Sequence, residues 1–231
     1  MAKHIGIVAC SAEGAALCYR TLCAEAPEIM GEHMHPEVSM HTHPLGVYMP
    51  YIRAGDWAGV AGLMLSSIRK LADIGATLAI CPDNTIHQAF DFVVPESPIP
   101  WLHIAECVAE EARNHGFHRL AITGTKYLMT GPVYPAVLEA QGLECAIPDA
   151  PDRERIDTII FKELVNGVFR EEARQYFNTV IDGLKGNGCD AVVLGCTEIP
   201  LLVDPQDCPL PTLDSTRLLA RAALRKALEG E

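Results

Sequence analysis

The chain has 231 residues, of which 49% are hydrophobic and 21% charged. This is a globular composition that argues against disorder, and the length is too great for a peptide module. The formal net charge of −12 gives no support for a phosphate-tracking surface, so no nucleic-acid partner is expected.

No apolar run approaches the roughly 20 residues needed to span a bilayer, so no membrane partner is expected either. The opening residues Met1 to Val8 read as a first strand rather than a secretory leader. Nine cysteines are present: Cys10, Cys18, Cys23, Cys81, Cys107, Cys145, Cys189, Cys196 and Cys208. The number is odd, no CxxC pair occurs, and the chain is not a small secreted scaffold. Reduced thiols in a cytoplasmic compartment are the expectation.

In chain order, Ile5 to Ala9 is predicted as a strand and Gly14 to Ala26 as a helix. The segment from Glu32 to Tyr51, rich in His, Pro and Met, reads as strand plus loop. Asp56 is a plausible N-cap for the next helix, where Val60, Leu63, Met64, Ile68 and Leu71 recur at helical spacing. Gly75 stands where a glycine would end it. Thr77 to Cys81 follows as a buried strand, which Pro82 stops. Trp101 to His115 is predicted as a helix closed by Gly116, and Leu120 to Thr123 as a strand ending in Gly124-Thr125. Tyr134 to Gln141, Ile156 to Asn166 and Arg170 to Leu184 read as helices, Ala191 to Leu194 as a strand, and Arg217 to Leu228 as a last helix. Strands alternating with helices imply parallel sheets with helices on both faces.

A long-period repeat is the most informative internal feature. Gly75 to Asp83 resembles Gly188 to Cys196, each running glycine, apolar strand, polar loop, with eight positions from the glycine to the loop residue. Cys10-Ser11 pairs more weakly with Thr125-Lys126. The separations agree: 73 residues from Cys10 to Asp83 and 71 from Thr125 to Cys196. Two similar α/β lobes follow, with Asp83 and Cys196 in equivalent places. Ligands of open α/β sheets bind outside the carboxyl ends of the strands, so these two residues are expected on opposite walls of one cleft between the lobes.

Leu194-Gly195-Cys196-Thr197-Glu198-Ile199-Pro200-Leu201-Leu202 resembles the second cysteine motif of the aspartate/glutamate racemase family. Asp83-Asn84-Thr85-Ile86-His87 resembles its first motif, in which the residue before Asn-Thr is usually cysteine. Gly124-Thr125-Lys126 with Tyr134, Gly55-Asp56-Trp57, Glu163-Leu164 with Gly167, and Leu213-Asp214-Ser215-Thr216 also fall in family order. The resemblance implies a cofactor-independent enzyme of two pseudo-symmetric α/β lobes, residues 1–98 plus 214–231 and residues 99–213, with the active site in the cleft between them. It further implies a homodimer and a small amino-acid or carboxylic-acid substrate. Racemases of this kind place one cysteine on each face of the substrate α-carbon.

Cys196 follows a buried strand and a glycine, and Thr197-Glu198 is expected to open a helix whose N-terminus would favour the thiolate. Asp83 takes the first cysteine's place. Cys81 lies two residues earlier, but Pro82 breaks the strand geometry between them. A thiol has a pKa of about 8.5 and a carboxyl about 3.9, so Asp83 is intrinsically the weaker base and the two faces should differ. Asn84, Thr85 and Thr197 are candidate carboxylate binders, or helix caps. Family resemblance adds Ser11 and Thr125, at the ends of the first strand of each lobe, as substrate contacts. His87 completes Asn-Thr-x-His and could relay a proton or polarise a carboxyl; it could equally be a core or helix-surface histidine.

His33, His35, His41 and His43 form a cluster, but no cysteine or carboxylate has zinc-site spacing, so no metal is expected. His103 and Glu106, three apart, read as an ordinary helix surface. Arg53 and Lys162 are candidates for a side-chain carboxylate by location only. The largely apolar Thr42 to Met49 suits a substrate with an uncharged or bulkier side group. No dinucleotide fingerprint or P-loop is present, so no nucleotide cofactor is expected.

Three readings follow. The first is an amino-acid racemase or epimerase without pyridoxal phosphate, with Cys196 and Asp83 as the two acid/bases. The second is a single-cysteine relative, a decarboxylase or cis–trans isomerase of a small diacid. The third is a catalytically silent small-molecule binding protein.

Overall fold

The structure, a computed structural model, describes residues 2–229. The chain divides into two compact units. One runs to Ile104 and is joined by the chain from Thr216 onward; the other is Ala105–Ser215.

The first unit begins with β1 (Ile5–Ala9), buried along its whole length. Such a strand lies in the middle of a sheet covered on both faces. There follow α1 (Ala12–Glu25), the single turn α2 (Pro27–Met30), β2 (Val38–Thr42), α3 (Leu45–Ala54), α4 (Trp57–Asp73) and β3 (Leu78–Ile80). The sheet order is β2-β1-β3, all parallel, with Ile7 opposite Met40 on one side and Ile80 on the other. A 3₁₀ turn, Thr85–Ala89, and the single turn α5 (Phe90–Val93) follow β3.

Asp56 caps α4 as its sequence position suggests: its carboxylate accepts from the Gly59 N–H at 2.8 Å. The helix ends before Gly75, whose φ of +99° is a left-handed value that favours glycine.

Two expectations fail in this unit. Residues 32–51 are not simply strand plus loop, because α3 begins at Leu45. Pro44 sits at the N-cap, where the missing N–H does no harm, and Pro50 is tolerated inside the helix. Tyr48 and Ile52, one turn apart, are buried and the helix packs on α4, so tertiary burial outweighs the proline signal. The second failure is Trp101, which opens no helix. It pairs in parallel with Ala79 as a one-residue extension of the sheet beside β3.

The second unit carries α6 (Ile104–Asn114), β4 (Arg119–Thr123), the short α7 (Lys126–Met129), α8 (Val133–Ala140), β5 (Glu144–Ala146) and α9 (Ala150–Lys162). Then come α10 (Glu171–Gly186), β6 (Ala191–Leu194), α11 (Ile199–Leu202) and β7 (Thr212–Asp214). The order β5-β4-β6-β7 is again all parallel. Its core gathers Ile156 and Ile160 of α9, Phe177, Ile181 and Leu184 of α10, and Val192 and Leu194 of β6. Gly188 before β6 has φ +89°, matching Gly75 before β3.

The two sheets therefore repeat one plan. β1 and β4 are central, β2 and β5 lie at one edge, and β3 and β6 on the other side carry the repeated glycine–strand–loop segment. α12 (Ser215–Leu228) returns to the first unit, where Arg221 holds Glu25 of α1 through two 2.8 Å bonds. Among the described residues no helix is long and apolar enough to cross a membrane.

Candidate active site

Every residue singled out from the two motifs lies just beyond the carboxyl end of a parallel strand, where α/β sheets place their ligands. In the first unit these are Ser11 after β1, and Asp83, Asn84, Thr85 and His87 after β3. In the second they are Thr125 after β4, and Cys196 and Thr197 after β6.

Beyond β3, Cys81 is fully buried while Asp83 is half-buried. Burial, and then the negative charge of Asp83, push the Cys81 thiol well above its usual range. Cys81 is thus a core thiol held in its neutral form. Asn84 and Thr85 are buried at the start of the 3₁₀ turn.

His87 is 3% exposed. Its Nε2 lies 3.0 Å from the Cys81 carbonyl. A carbonyl only accepts, so Nε2 carries the proton and Nδ1 presents a lone pair, which meets no hydrogen-bond partner. Phe90 stacks on the ring at 4.1 Å, and His103 meets it edge-on at 4.7 Å. Burial first, then His103, hold the His87 pKa well below the usual imidazole value. His87 is a neutral ring that pins the backbone turn carrying Asp83.

Sequence reasoning missed Tyr48 in this unit. Its side chain is 0% exposed, and its hydroxyl finds no well-formed hydrogen bond. Burial, with Cys81, Cys10 and Asp83 in descending order, pushes its pKa far up, so it stays a phenol. The signal lay in the i, i+4 spacing of Tyr48 and Ile52, obscured by the neighbouring prolines.

Beyond β6, Gly195 donates to the Thr123 carbonyl at 2.9 Å. A Cβ there would lie 2.6 Å from the Thr123 oxygen and 2.5 Å from Leu128 Cδ2, so only glycine fits. Ser215 donates to the Leu194 carbonyl at 2.9 Å and ties the same strand end from the other side. Cys196 emerges half-buried from this anchored turn. Its Sγ donates to Glu198 Oε2 at 2.9 Å, and Thr197 Oγ1 donates to the same oxygen at 2.8 Å. Glu198 is 2% exposed. Thr125 caps α7, accepting from the Leu128 N–H at 3.3 Å.

The expected helix after Cys196 is only a turn followed by the four-residue α11. So short a helix carries little macrodipole. The feature beside the thiol is instead the buried carboxylate of Glu198, which sequence reasoning passed over as a helix opener. A carboxylate in hydrogen-bond contact with a thiol can orient it and accept its proton.

A profile of the Asp/Glu/hydantoin racemase family matches residues 5–223. The chain belongs to that family. Racemases are isomerases, so the chain is an isomerase by class. A protein from Yersinia pestis assigned as an Asp/Glu racemase superposes with a TM-score of 0.89 at 30% identity, over 98% of this chain and 100% of its own. An aspartate racemase homologue from Pyrococcus horikoshii OT3 gives 0.85 at 28% identity, over 99% and 100%. The broad specificity amino-acid racemase RacX of Bacillus subtilis is 21% identical over 190 residues, 82% of this chain and 81% of its own length.

The remaining polar candidates fall outside these strand ends. His33 and His35 are exposed before β2, and Arg53 and Lys162 are exposed at the ends of α3 and α9. His41 and His43 stand 4.9 Å apart on and just after β2. Among the described residues no three metal-capable side chains come together. His103 precedes α6 rather than sharing a helical face with Glu106. None of the nine cysteines is in a disulfide.

Proposed function

We propose that this member of the racemase family is an amino-acid racemase or epimerase needing no pyridoxal phosphate, with Cys196 and Asp83 serving opposite faces of the substrate α-carbon. The observation that carries the reading is the Cys196–Glu198 contact at the anchored end of β6. Glu198 takes the thiol proton, and the thiolate then removes the α-proton of a bound amino acid. Asp83 returns a proton to the other face. Asn84, Thr85 and Thr197, with Ser11 and Thr125, bind the carboxylate through hydroxyl, amide and backbone N–H groups, and these donors stabilise the carbanion-like state. His87 acts on Asp83 through the Cys81 carbonyl, as a positioning residue. The two strand ends border one substrate site, and the protein works as a cytoplasmic homodimer.

The deciding experiment is proton NMR with D- and L-amino acids in D₂O, followed by chiral analysis. Loss of the α-proton signal in the wild type but not in Cys196→Ser supports the reading. A wild-type protein that exchanges no α-proton overturns it. A panel running from aspartate and glutamate to neutral, bulkier analogues tests the preference expected from the apolar Thr42 to Met49 segment.

The carboxylate at position 83 also favours a second reading. One thiol facing a weak base can reprotonate a single face of a prochiral diacid after decarboxylation, or add to a cis double bond and release the trans isomer. Chiral product from a malonate-type acid selects the first of these, and loss of a cis alkene signal the second. Ligand binding with no chemistry at all would mark a silent binding protein.

A further inference from the structure

The single turn α7 stands directly after Thr125, and its two ends are held by different means. The far end is packed. Leu128 and Met129 are buried, and Met129 joins Ile156 and Ile160 in the core of the second unit. Leu128 Cδ2 also lies against Gly195, in the space a Cβ there would need. The near end is held by hydrogen bonds. Thr125 Oγ1 accepts from the Leu128 N–H at 3.3 Å, and the Thr125 carbonyl accepts from the Leu128 and Met129 N–H groups at 3.0 Å. The Lys126 N–H donates to Asp157 Oδ1 of α9 at 2.8 Å, across 31 positions of chain.

The first N–H groups of any helix have no acceptor within it, and one turn is too short to hold its own start. Asp157 supplies the missing acceptor from a neighbouring helix. It is 9% exposed and sits beside Ile156, a core residue of α9. A carboxylate is costly to bury unless it is bonded. Burial raises the Asp157 carboxyl above its ordinary 3.8, and the Lys126 N–H and then the Lys126 ammonium oppose that rise. The Lys126 side chain is a weaker tie. Its ammonium lies 3.6 Å from Glu154 Oε2, but the two side chains are 40% and 70% exposed, and so open a pair contributes little.

The peptide joining Thr125 to Lys126 is thus gripped on both edges, its N–H by Asp157 and its carbonyl by Leu128 and Met129. A peptide is planar, so fixing both edges fixes the direction in which the Thr125 side chain leaves the backbone. We propose that Asp157 is a positioning residue that sets Thr125 for the substrate carboxylate. The inference rests on the reading of Thr125 as a substrate contact. Asp157 acts through the Lys126 N–H, as an acceptor and not as an acid or base. Without it the near end of α7 loosens while Leu128 and Met129 keep the far end seated, so binding suffers more than the chemistry at Cys196.

The first test needs no substrate. Amide hydrogen exchange followed by NMR should show the Lys126 N–H at least about tenfold faster in Asp157→Ala than in wild type. It should stay within about threefold in Asp157→Asn, whose side-chain oxygen still accepts. An unchanged Lys126 rate in Asp157→Ala overturns the proposal.

The second test uses an amino acid that the enzyme turns over. Asp157→Ala should raise KM about tenfold or more with kcat within about threefold, and Asp157→Asn should bring KM back to within about twofold of wild type. Lys126→Pro deletes the same hydrogen bond and leaves Asp157 in place, so it reports even if Asp157→Ala fails to fold. Proline suits a first helical position, and Thr125 before it is already extended, at φ −63° and ψ 156°. Lys126→Pro should raise KM as Asp157→Ala does. Lys126→Ala, which keeps the N–H and loses only the ammonium, should leave KM within about twofold. A wild-type KM in Lys126→Pro, or a KM raised equally by Asp157→Asn and Asp157→Ala, overturns the proposal. A wild type that exchanges no α-proton refutes the racemase reading alone, and amide exchange still judges the Asp157 tie.

Discussion

At the scale of single residues, the proposed chemistry rests on two short contacts. Cys196 shares the Glu198 carboxylate with Thr197, so the thiol has a fixed orientation and a proton acceptor within reach. Glu198→Gln keeps the shape but cannot take a proton. It should lower α-proton exchange about 100-fold with the fold intact, measurable by NMR in D₂O beside a circular dichroism spectrum. In the first unit, Asp83→Asn removes the only acid/base proposed after β3. Inversion should fall by about 100-fold or more, while exchange with retention through Cys196 persists. Chiral chromatography of the deuterated product separates the two outcomes, and equal loss of both would refute separate faces. Both motif residues were legible in the sequence, because each follows a recognisable strand and precedes a recognisable pattern. The burial of Glu198 and Tyr48 was not, since nothing local shows which side of a turn faces the interior.

At the scale of elements, the placing of the candidate residues depends on how strand ends are anchored. Gly195 is held against Thr123 with no room for a Cβ. Gly195→Ala must push either Leu128 or the backbone of β4. It should cost about 1–3 kcal/mol of stability and displace Cys196, so urea unfolding and activity should fall together. The Asp56 cap is different, because it holds the N-terminus of α4 and carries none of the candidate site residues. Asp56→Ala should cost about 1 kcal/mol without changing the pH profile. Helices with an uninterrupted apolar stripe, such as α4 and α10, were readable because their period is local. α3 was not, because its helical state comes from burying Tyr48 and Ile52 against α4. β5 and β7, three residues each, were also missed, since so short a run has no period of its own.

For the whole molecule, stability should carry an acid-sensitive component from the first unit. His103 is lowered from the usual 6.5 to about 4, mainly by burial, and His87 is lowered well below its usual value. In the unfolded chain both rings take up protons near pH 6.5, whereas the folded chain resists until the pH is much lower. The unfolded state therefore binds more protons, and stability is full above pH 6.5 and is lost as pH falls toward 4. For His103 alone the loss is up to about 3 kcal/mol. Urea midpoints measured from pH 7 to pH 4 should fall in the wild type and less steeply in His103→Asn. Identical slopes would show that the ring is not held neutral.

Taken alone, the sequence determined the α/β class, the order of the long elements, the repeat that puts Asp83 and Cys196 at matching strand ends, and the family those motifs resemble. These are carried by local signals: apolar runs of strand length, glycines where φ must be positive, and side chains whose chemistry is recognisable wherever they lie. Tertiary structure alone decided that Cys196 is met by a buried carboxylate instead of a long helix, and that His87 is a neutral clamp. Those relations join residues up to 16 positions apart, as His87 and His103 are. They depend on which side of each turn is packed into the interior and on the charge environment that packing creates, and no local period encodes either.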